Sequence, residues 1–415
     1  MRILVYPHDL AIGGSQINAI DLAAGVAAAG HEVMVYGIPG PLVDHIERRG
    51  LRFIAARRLR YRPAPSRIAQ LYGIARRERL DLIHAYEWPP CLDAYYGAGL
   101  LAGVPVLSTV LGMTVSPYVP ASVPLVMGTV ELGDAARRVH EGEVWVIEPP
   151  IDVDSDHPGV DGSGFRAACG VAAGEGLVVT VSRLAVDLKL DALVRAIDAA
   201  DLLAARHRVR LAIVGGGPAE EALRARAAAV NRRHGREIVL LPGPTLDPRA
   251  AYAGADIVVG MGSSALRALA VGRPVVVQGE QGFSEVFEPA SLALFLHQGF
   301  YGLGDAAVGA GRLAGQLEGL LTDPGRRQAL GRFGREVVCE RFSLARAVQL
   351  QLDIYQRVVQ RPPAWRLRDV LRSSGRALML ELRNHDPRAK RGRRLAEHHL
   401  FAAARQGVWP PAVQP

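Results

Sequence analysis

The sequence predicts two α/β domains, each built on a mostly parallel sheet with helices on both faces. Three observations predict it. The chain has 415 residues, more than one α/β core usually holds and comfortable for two. Short runs of Val, Ile and Leu alternate with Ala-rich segments of helical period, and near-continuous apolar strands of this kind belong to sheets buried on both sides. The scheme occurs twice, on either side of a Pro-, Gly- and Asp-rich stretch from Pro149 to Gly164 that reads as a linker.

In the first half, strands are expected at 2–6, 32–38, 51–55, 80–85, 104–110, 124–129 and 143–148. Between the first two, Ile17, Ile20, Ala24 and Ala27 recur at spacings of three and four, the pattern of one helix face. The second half repeats the alternation, with strands at 177–182, 209–214, 237–241, 256–260 and 274–278. Long helical patterns follow at 324–340 and 343–359, and Pro362-Pro363 should end the last of them. The expected division is an amino-terminal domain over 1–155, a second domain over 156–345, a closing helix over 346–361 and a basic tail over 362–415.

Hydrophobic residues make up 49% of the chain and charged residues 22%, which excludes a disordered protein and supports sizeable cores. Cys91, Cys169 and Cys339 are far apart and form no C-x-x-C, so neither a disulfide framework nor a zinc site is expected. Met1-Arg2 leads straight into a strand pattern with no long apolar leader, and no run approaches the length of a membrane span; the cytoplasm is the expected compartment. The net charge of +8 is concentrated at one end. From Arg357 onward there are 13 basic residues against 4 acids, so the rest of the chain is near neutral. That speaks against nucleic acid as a partner of the core and directs any contact with a membrane to the tail. Lysine occurs only at 189 and 390 beside 47 arginines, which singles out Lys189 as a residue kept for its compact ammonium.

Three motifs carry the chemistry. Gly13-Gly14-Ser15-Gln16 stands between the first strand and its helix, where glycines admit a ligand and helix N–H groups meet an anion. The same residues suit a tight turn capped by Ser15. Val181-Ser182-Arg183-Leu184 is followed by Lys189 at a helix start, so two cations can converge on a diphosphate above the strand ends; the alternative is two solvated loop charges. Gly215-Gly216-Gly217-Pro218 leaves a strand and enters a helix begun by proline, which fits either close approach of a ligand or a compact turn.

The order of motifs resembles that of the retaining glycosyltransferases of family 4, over roughly residues 1–358. The carriers are Gly13-Gly14, Asp81-Leu82-Ile83-His84-Ala85-Tyr86-Glu87, and Pro149-Pro150-Ile151-Asp152. Then come Ser182-Arg183-Leu184 with Lys189, Val214 through Pro218, Ala255-Asp256-Ile257-Val258, and Ala270-Val271-Gly272-Arg273-Pro274. The resemblance implies the GT-B architecture, two Rossmann-like domains with sheets facing across a cleft, and transfer from a nucleotide diphosphate sugar to an acceptor. Arg183 and Lys189 would hold the donor diphosphate, Gly13 and Gly14 would line its other side, and Gly215, Gly216 and Gly217 would lie near the base. His84, at the end of its strand, would serve the acceptor side. Neither a metal nor a separate cofactor is implied.

Two departures stand out. Where such proteins carry a glutamate for the donor ribose, this chain has Arg267, in Ser264-Ala265-Leu266-Arg267, and an arginine cannot accept a hydrogen bond. Where many carry a histidine after the fifth strand, it reads Thr109-Val110-Leu111-Gly112-Met113. Ser264, Arg267, Glu280, Gly282 and Glu285 are the remaining donor-side candidates, with Glu280 or Glu285 replacing the missing carboxylate. The departures leave open a non-catalytic protein that binds nucleotide or glycan, and the architecture leaves open a nucleotide-sugar epimerase. Asp152, Asp154 and Asp156 fail as a calcium loop, because His157 and Ser163 stand where Gly and Glu are needed, and read as an acidic, solvated connection. In the tail, Leu367, Val370, Leu371, Ala377, Leu378 and Leu382 form a helical stripe beside Arg366, Arg372, Arg376 and Arg383, and Arg388 to Arg394 adds charge. Such a helix suits peripheral contact with an anionic membrane. His398-His399 lacks ligand partners at metal spacing.

Overall fold

The computed structural model describes residues 1–415 except 9, 12, 58–63, 113–114, 305–308, 362–366 and 386–415; for 380–385 it describes the backbone alone. Met113, Arg366, Arg388 to Arg394 and His398-His399 therefore lie outside the described residues, as do the side chains of Leu382 and Arg383. The chain divides into two units. One comprises Met1–Glu148 and Ala347–Pro415, the other Pro149–Arg346. The division falls at 148/149, in the Pro-rich turn, and the helix Leu344–Gln360 takes the chain back to the first unit.

The first unit holds seven strands: β1 (Arg2–Tyr6), β2 (Glu32–Gly37), β3 (Arg52–Ala55), β4 (Leu82–Tyr86), β5 (Val106–Val110), β6 (Leu125–Met127) and β7 (Val144–Val146). They form one parallel sheet in the order β3-β2-β1-β4-β5-β6-β7. The order reverses between β1 and β4, which opens a crevice at their carboxyl ends. Every residue of β4 and β5 is buried, as expected of central parallel strands. The helix Gly14–Ala28 forms after β1, but its buried face runs through Ala19, Ile20, Leu22, Ala23 and Val26. The expected stripe of Ile17, Ala24 and Ala27 is only half-buried, because small alanines on every side made the face ambiguous.

The second unit holds β8 (Gly176–Val181), β9 (Val209–Val214), β10 (Val239–Gly243), β11 (Ile257–Gly260), β12 (Val275–Gln278) and β13 (Ser284–Val286), in the order β10-β9-β8-β11-β12-β13. All pairs are parallel except β12 with β13, a short antiparallel edge that the sequence reading missed. Alternation along the strands fills a core on each face. Val178, Leu211, Ile213 and Val276 point to one side, with Leu193, Ile197 and Leu203 of the helix Leu190–Ala204. Leu177, Val179, Ala212, Val275 and Val277 point to the other, with Leu266 and Leu269 of the helix Ser263–Ala270. Here the order reverses between β8 and β11.

Two expectations are corrected at this level. The acidic linker is not simply solvated: Asp156 is buried, and its carboxylate takes a two-pronged contact from Arg267, Nε at 2.7 Å and Nη2 at 2.9 Å. Burying a carboxylate is tolerable only with such a partner. The tail stripe is also divided. In the helix Leu367–His385, Val370 and Ala377 turn toward the protein while Leu367, Leu371 and Leu378 face solvent.

Candidate active site

In the second unit the loops that follow β8, β9, β11 and β12 gather at the carboxyl edge of the sheet. The loop after β8 carries Arg183, which is exposed, and Lys189, which is half-buried at the start of the helix Leu190–Ala204. Backbone bonds fix this loop to its neighbour: Ser182 N–H donates to Val214 O, Leu184 N–H to Gly216 O, and Ala219 N–H to Leu184 O. The glycines explain why it can sit so close. Gly215 has φ +153°, and a Cβ there would stand 1.8 Å from Ser182 O. Gly217 has φ +152°, and a Cβ would stand 2.7 Å from Leu184 O. Both glycines are therefore demanded by the approach of one loop to the other, and what they achieve is the placement of Arg183. Gly216 has ordinary room, with Pro244 as its nearest neighbour.

Neither Arg183 nor Lys189 has an acidic hydrogen-bond or ion-pair partner among the described residues, whereas Arg195, Arg210, Arg249, Arg267 and Arg312 of the same unit each have one. Burial and the neighbouring Arg183 push the Lys189 ammonium down to about 8, with Glu280 pulling the other way. Exposed Arg183 and half-buried Lys189 thus set two like charges close to one another at this edge of the sheet. Glu280 lies on the loop after β12, its carboxylate bonded by the Tyr301 hydroxyl and its backbone joined to Gly302 and Gly304. Gly282 N–H reaches Asp191 Oδ2 at 3.5 Å. Ser264 donates to Val181 O and receives the Tyr252 hydroxyl, so it ties the helix Ser263–Ala270 to the end of β8. Two candidates are otherwise engaged. Arg267 is committed to Asp156 and lies over the Tyr252 ring, and Glu285 sits in β13 paired with Arg312.

In the first unit, the structure reverses the reading of His84. Its ring is fully buried, with Nδ1 at 2.7 Å from the Tyr355 hydroxyl and Nε2 at 2.6 Å from Thr109 Oγ1. Burial drives it down to about 3, so the imidazole stays neutral and joins β4, β5 and the helix Leu344–Gln360. In this place it is a packing residue. The side chain at the crevice is instead Glu87, one residue beyond β4. Its φ of +67° is costly for a non-glycine residue, about 1–2 kcal/mol. Its Oε1 accepts from Leu111 N–H at 2.9 Å and Gly112 N–H at 3.2 Å, so the carboxylate holds the loop where the histidine of the resembled family would stand. Burial raises the Glu87 carboxyl above the usual range, against those two bonds and the charge of His8 at the end of β1. Backbone strain leaves no mark in composition or spacing, so the sequence shows Glu87 only as the last residue of the motif that carries His84. Gly13 caps the helix Gly14–Ala28 by its backbone, with no side-chain cap; Ser15 lies inside the helix and donates to Gln16 Oε1. Among the described residues no cluster of three or more His, Cys, Asp or Glu is placed to hold a metal ion.

Comparison with known proteins follows the same division. Residues 12–122 match the family model Glycosyltransferase Family 4, and residues 175–301 match the model Glycosyl transferases group 1. The chain is 28% identical over 334 residues to the alpha-maltose-1-phosphate synthase of Mycolicibacterium smegmatis, covering 70% of this chain and 82% of that one. It is 22% identical over 400 residues to an uncharacterised glycosyltransferase of Methanocaldococcus jannaschii, covering 85% and 96%. Among solved structures, a glycosyltransferase from Rickettsia africae superposes with TM-score 0.71 at 14% identity over 87% of this chain and 99% of that one. The Anabaena protein HepE in complex with UDP superposes with TM-score 0.68 at 18% identity, over 86% and 100%. These likenesses establish the GT-B fold.

Proposed function

We propose that this chain, a glycosyltransferase of the GT-B fold, moves a sugar from a nucleoside diphosphate sugar to an acceptor, with the retention of anomeric configuration that the resemblance of its motifs to family 4 implies. One observation carries the donor half of the reading: Arg183 and Lys189 stand together at the crevice of the second sheet, and among the described residues neither is in a salt bridge, with Glu280 the acid whose charge Lys189 feels. Negative charge grows on the diphosphate as the sugar leaves, and two cations fixed in advance stabilise it more in the transition state than in the ground state. The scheme requires no dedicated metal. Glu280, held by Tyr301 beside Lys189, is the acceptor group offered to the donor sugar or ribose, since Arg267 is tied to Asp156. HepE is solved with UDP and with UDP-glucose, so UDP-glucose is the first donor to try.

On the first unit, Glu87 rather than His84 is the group that meets the acceptor. Contact with an anionic membrane face through the basic carboxy-terminal segment belongs to the same reading. Calorimetry with UDP, GDP, ADP and dTDP tests the donor site. One nucleotide should bind, and Arg183→Ala and Lys189→Ala should each weaken it. A folded sample that binds none of them overturns the reading. Product configuration, read by NMR with the donor so identified, tests retention.

A further inference from the structure

The helix Leu367–His385 lies on the first unit by one well-defined face. Asp369 Oδ2 accepts from Ser122 N–H at 2.9 Å, and the Tyr96 hydroxyl meets Ser373 Oγ at 2.6 Å and Ser374 Oγ at 2.7 Å. Arg376 Nη1 donates to Pro117 O, and Ala377 is buried. Asp369, Ser373 and Ala377 recur every four residues and define the inner face. The opposite face is bare and apolar. Leu367 is 73% exposed, Leu371 66% and Leu378 60%, a stripe at spacings of four and seven, with Met379, 49% exposed, beside it. Exposed Arg368 and Arg372 run along its side.

Such a face needs an occupant. We propose that it is a docking surface for an anionic lipid bilayer, with the leucines in the headgroup boundary and the arginines on lipid phosphates. The inference deepens the membrane contact named above and rests on that reading. Charge decides the partner. Among the described side chains of the helix, the acid Asp369 is turned inward and satisfied by Ser122, so the described charges that flank the leucines, Arg368 and Arg372, are basic. A second copy would bring two ranks of arginine together, which like-charge repulsion disfavours. No described helix is long and apolar enough to cross a membrane, so the contact lies along the surface.

The test is sedimentation of the full chain with vesicles of phosphatidylcholine alone or mixed with phosphatidylglycerol. Binding is expected only to the mixture and should fall as salt rises. The double variant Leu371→Glu/Leu378→Glu should lose about tenfold or more in partition. Arg368→Glu and Arg372→Glu should each lose about fivefold or more. All should melt like the wild type and bind nucleotide equally, because these side chains support nothing in the fold. Unchanged partition of the leucine variant overturns the proposal. So does a wild type that ignores the mixture but self-associates through these leucines in sedimentation velocity. If neutralising Arg388 to Arg394 abolishes binding while the leucine variant keeps it, the tail makes the contact and the helix face does not; the membrane reading then survives without this inference.

Discussion

Each sheet reverses its strand order once and opens a crevice there, yet the two crevices are furnished with opposite charge. At β8 and β11 the loops present Arg183 and Lys189, two cations with no acidic ion-pair partner among the described residues. At β1 and β4 the loops present Glu87, a carboxylate held by two amides on a strained backbone, with the nearby histidine of the motif turned inward. Topology fixes where a ligand can sit in both units. Side-chain chemistry then sets the two crevices apart, with two cations at one and a carboxylate at the other.

The sharpest way to break the comparison is through the loop contact that places Arg183. Gly215→Ala drives a Cβ into Ser182 O at a φ that disfavours side chains, and should cost about 3 kcal/mol or more of stability. Thermal melting should show it in the second unit, with nucleotide binding lost. A variant that melts normally and binds UDP would mean the loops can separate without consequence.

Next in size is the charge itself. Lys189→Ala or Arg183→Ala should remove about 1.5–3 kcal/mol of binding to a nucleoside diphosphate, roughly tenfold to more than a hundredfold in Kd. The melting temperature should hold or rise, since a like-charge pair is relieved. Binding of the matching nucleoside, which lacks phosphates, should be indifferent to both changes.

A test of the other crevice uses the strain. Glu87→Gly removes the cost of the positive φ, about 1–2 kcal/mol, while losing the bonds to Leu111 and Gly112. Stability should change little, nucleotide binding should stay, and transfer to acceptor should fall. Unaltered transfer would return Glu87 to a purely structural role.

In nucleotide affinity, the smallest effect is in pH. Lys189 must be protonated to hold a diphosphate, and its ammonium sits at about 8 in the free protein. Affinity should therefore decline as pH rises through about 8, and Lys189→Arg should flatten the curve. His84 supplies a contrast in stability. Its folded value of about 3 lies below the unfolded 6.5, so its contribution is full above pH 6.5 and is lost toward pH 3. The slope is about 1.4 kcal/mol per pH unit at most. Acid should weaken the first unit by that route, and His84→Gln should reduce the dependence.

Much of this molecule was legible in the residues alone. Runs such as Gly176–Val181 and Val209–Val214 can bury both faces only as central parallel strands, so the expected strands fall within a few residues of those observed, while the boundary expected at 155/156 stands against a division at 148/149. The sequence also places Arg183 at the sheet's edge, because a charged residue just past an apolar strand has few other places to go. What only the tertiary structure decided depends on which side chain answers another far along the chain. His84 finds Tyr355 271 residues away and Arg267 finds Asp156 111 residues away, and both leave the roles their motifs suggested. Glu285 is drawn to Arg312, and Glu87 takes a backbone angle that no local preference would choose. Period and hydropathy are local and survive in a sequence. The pairing of a buried polar group is set by whatever the fold brings within about 3 Å of it, and that distance exists only once the chain is packed.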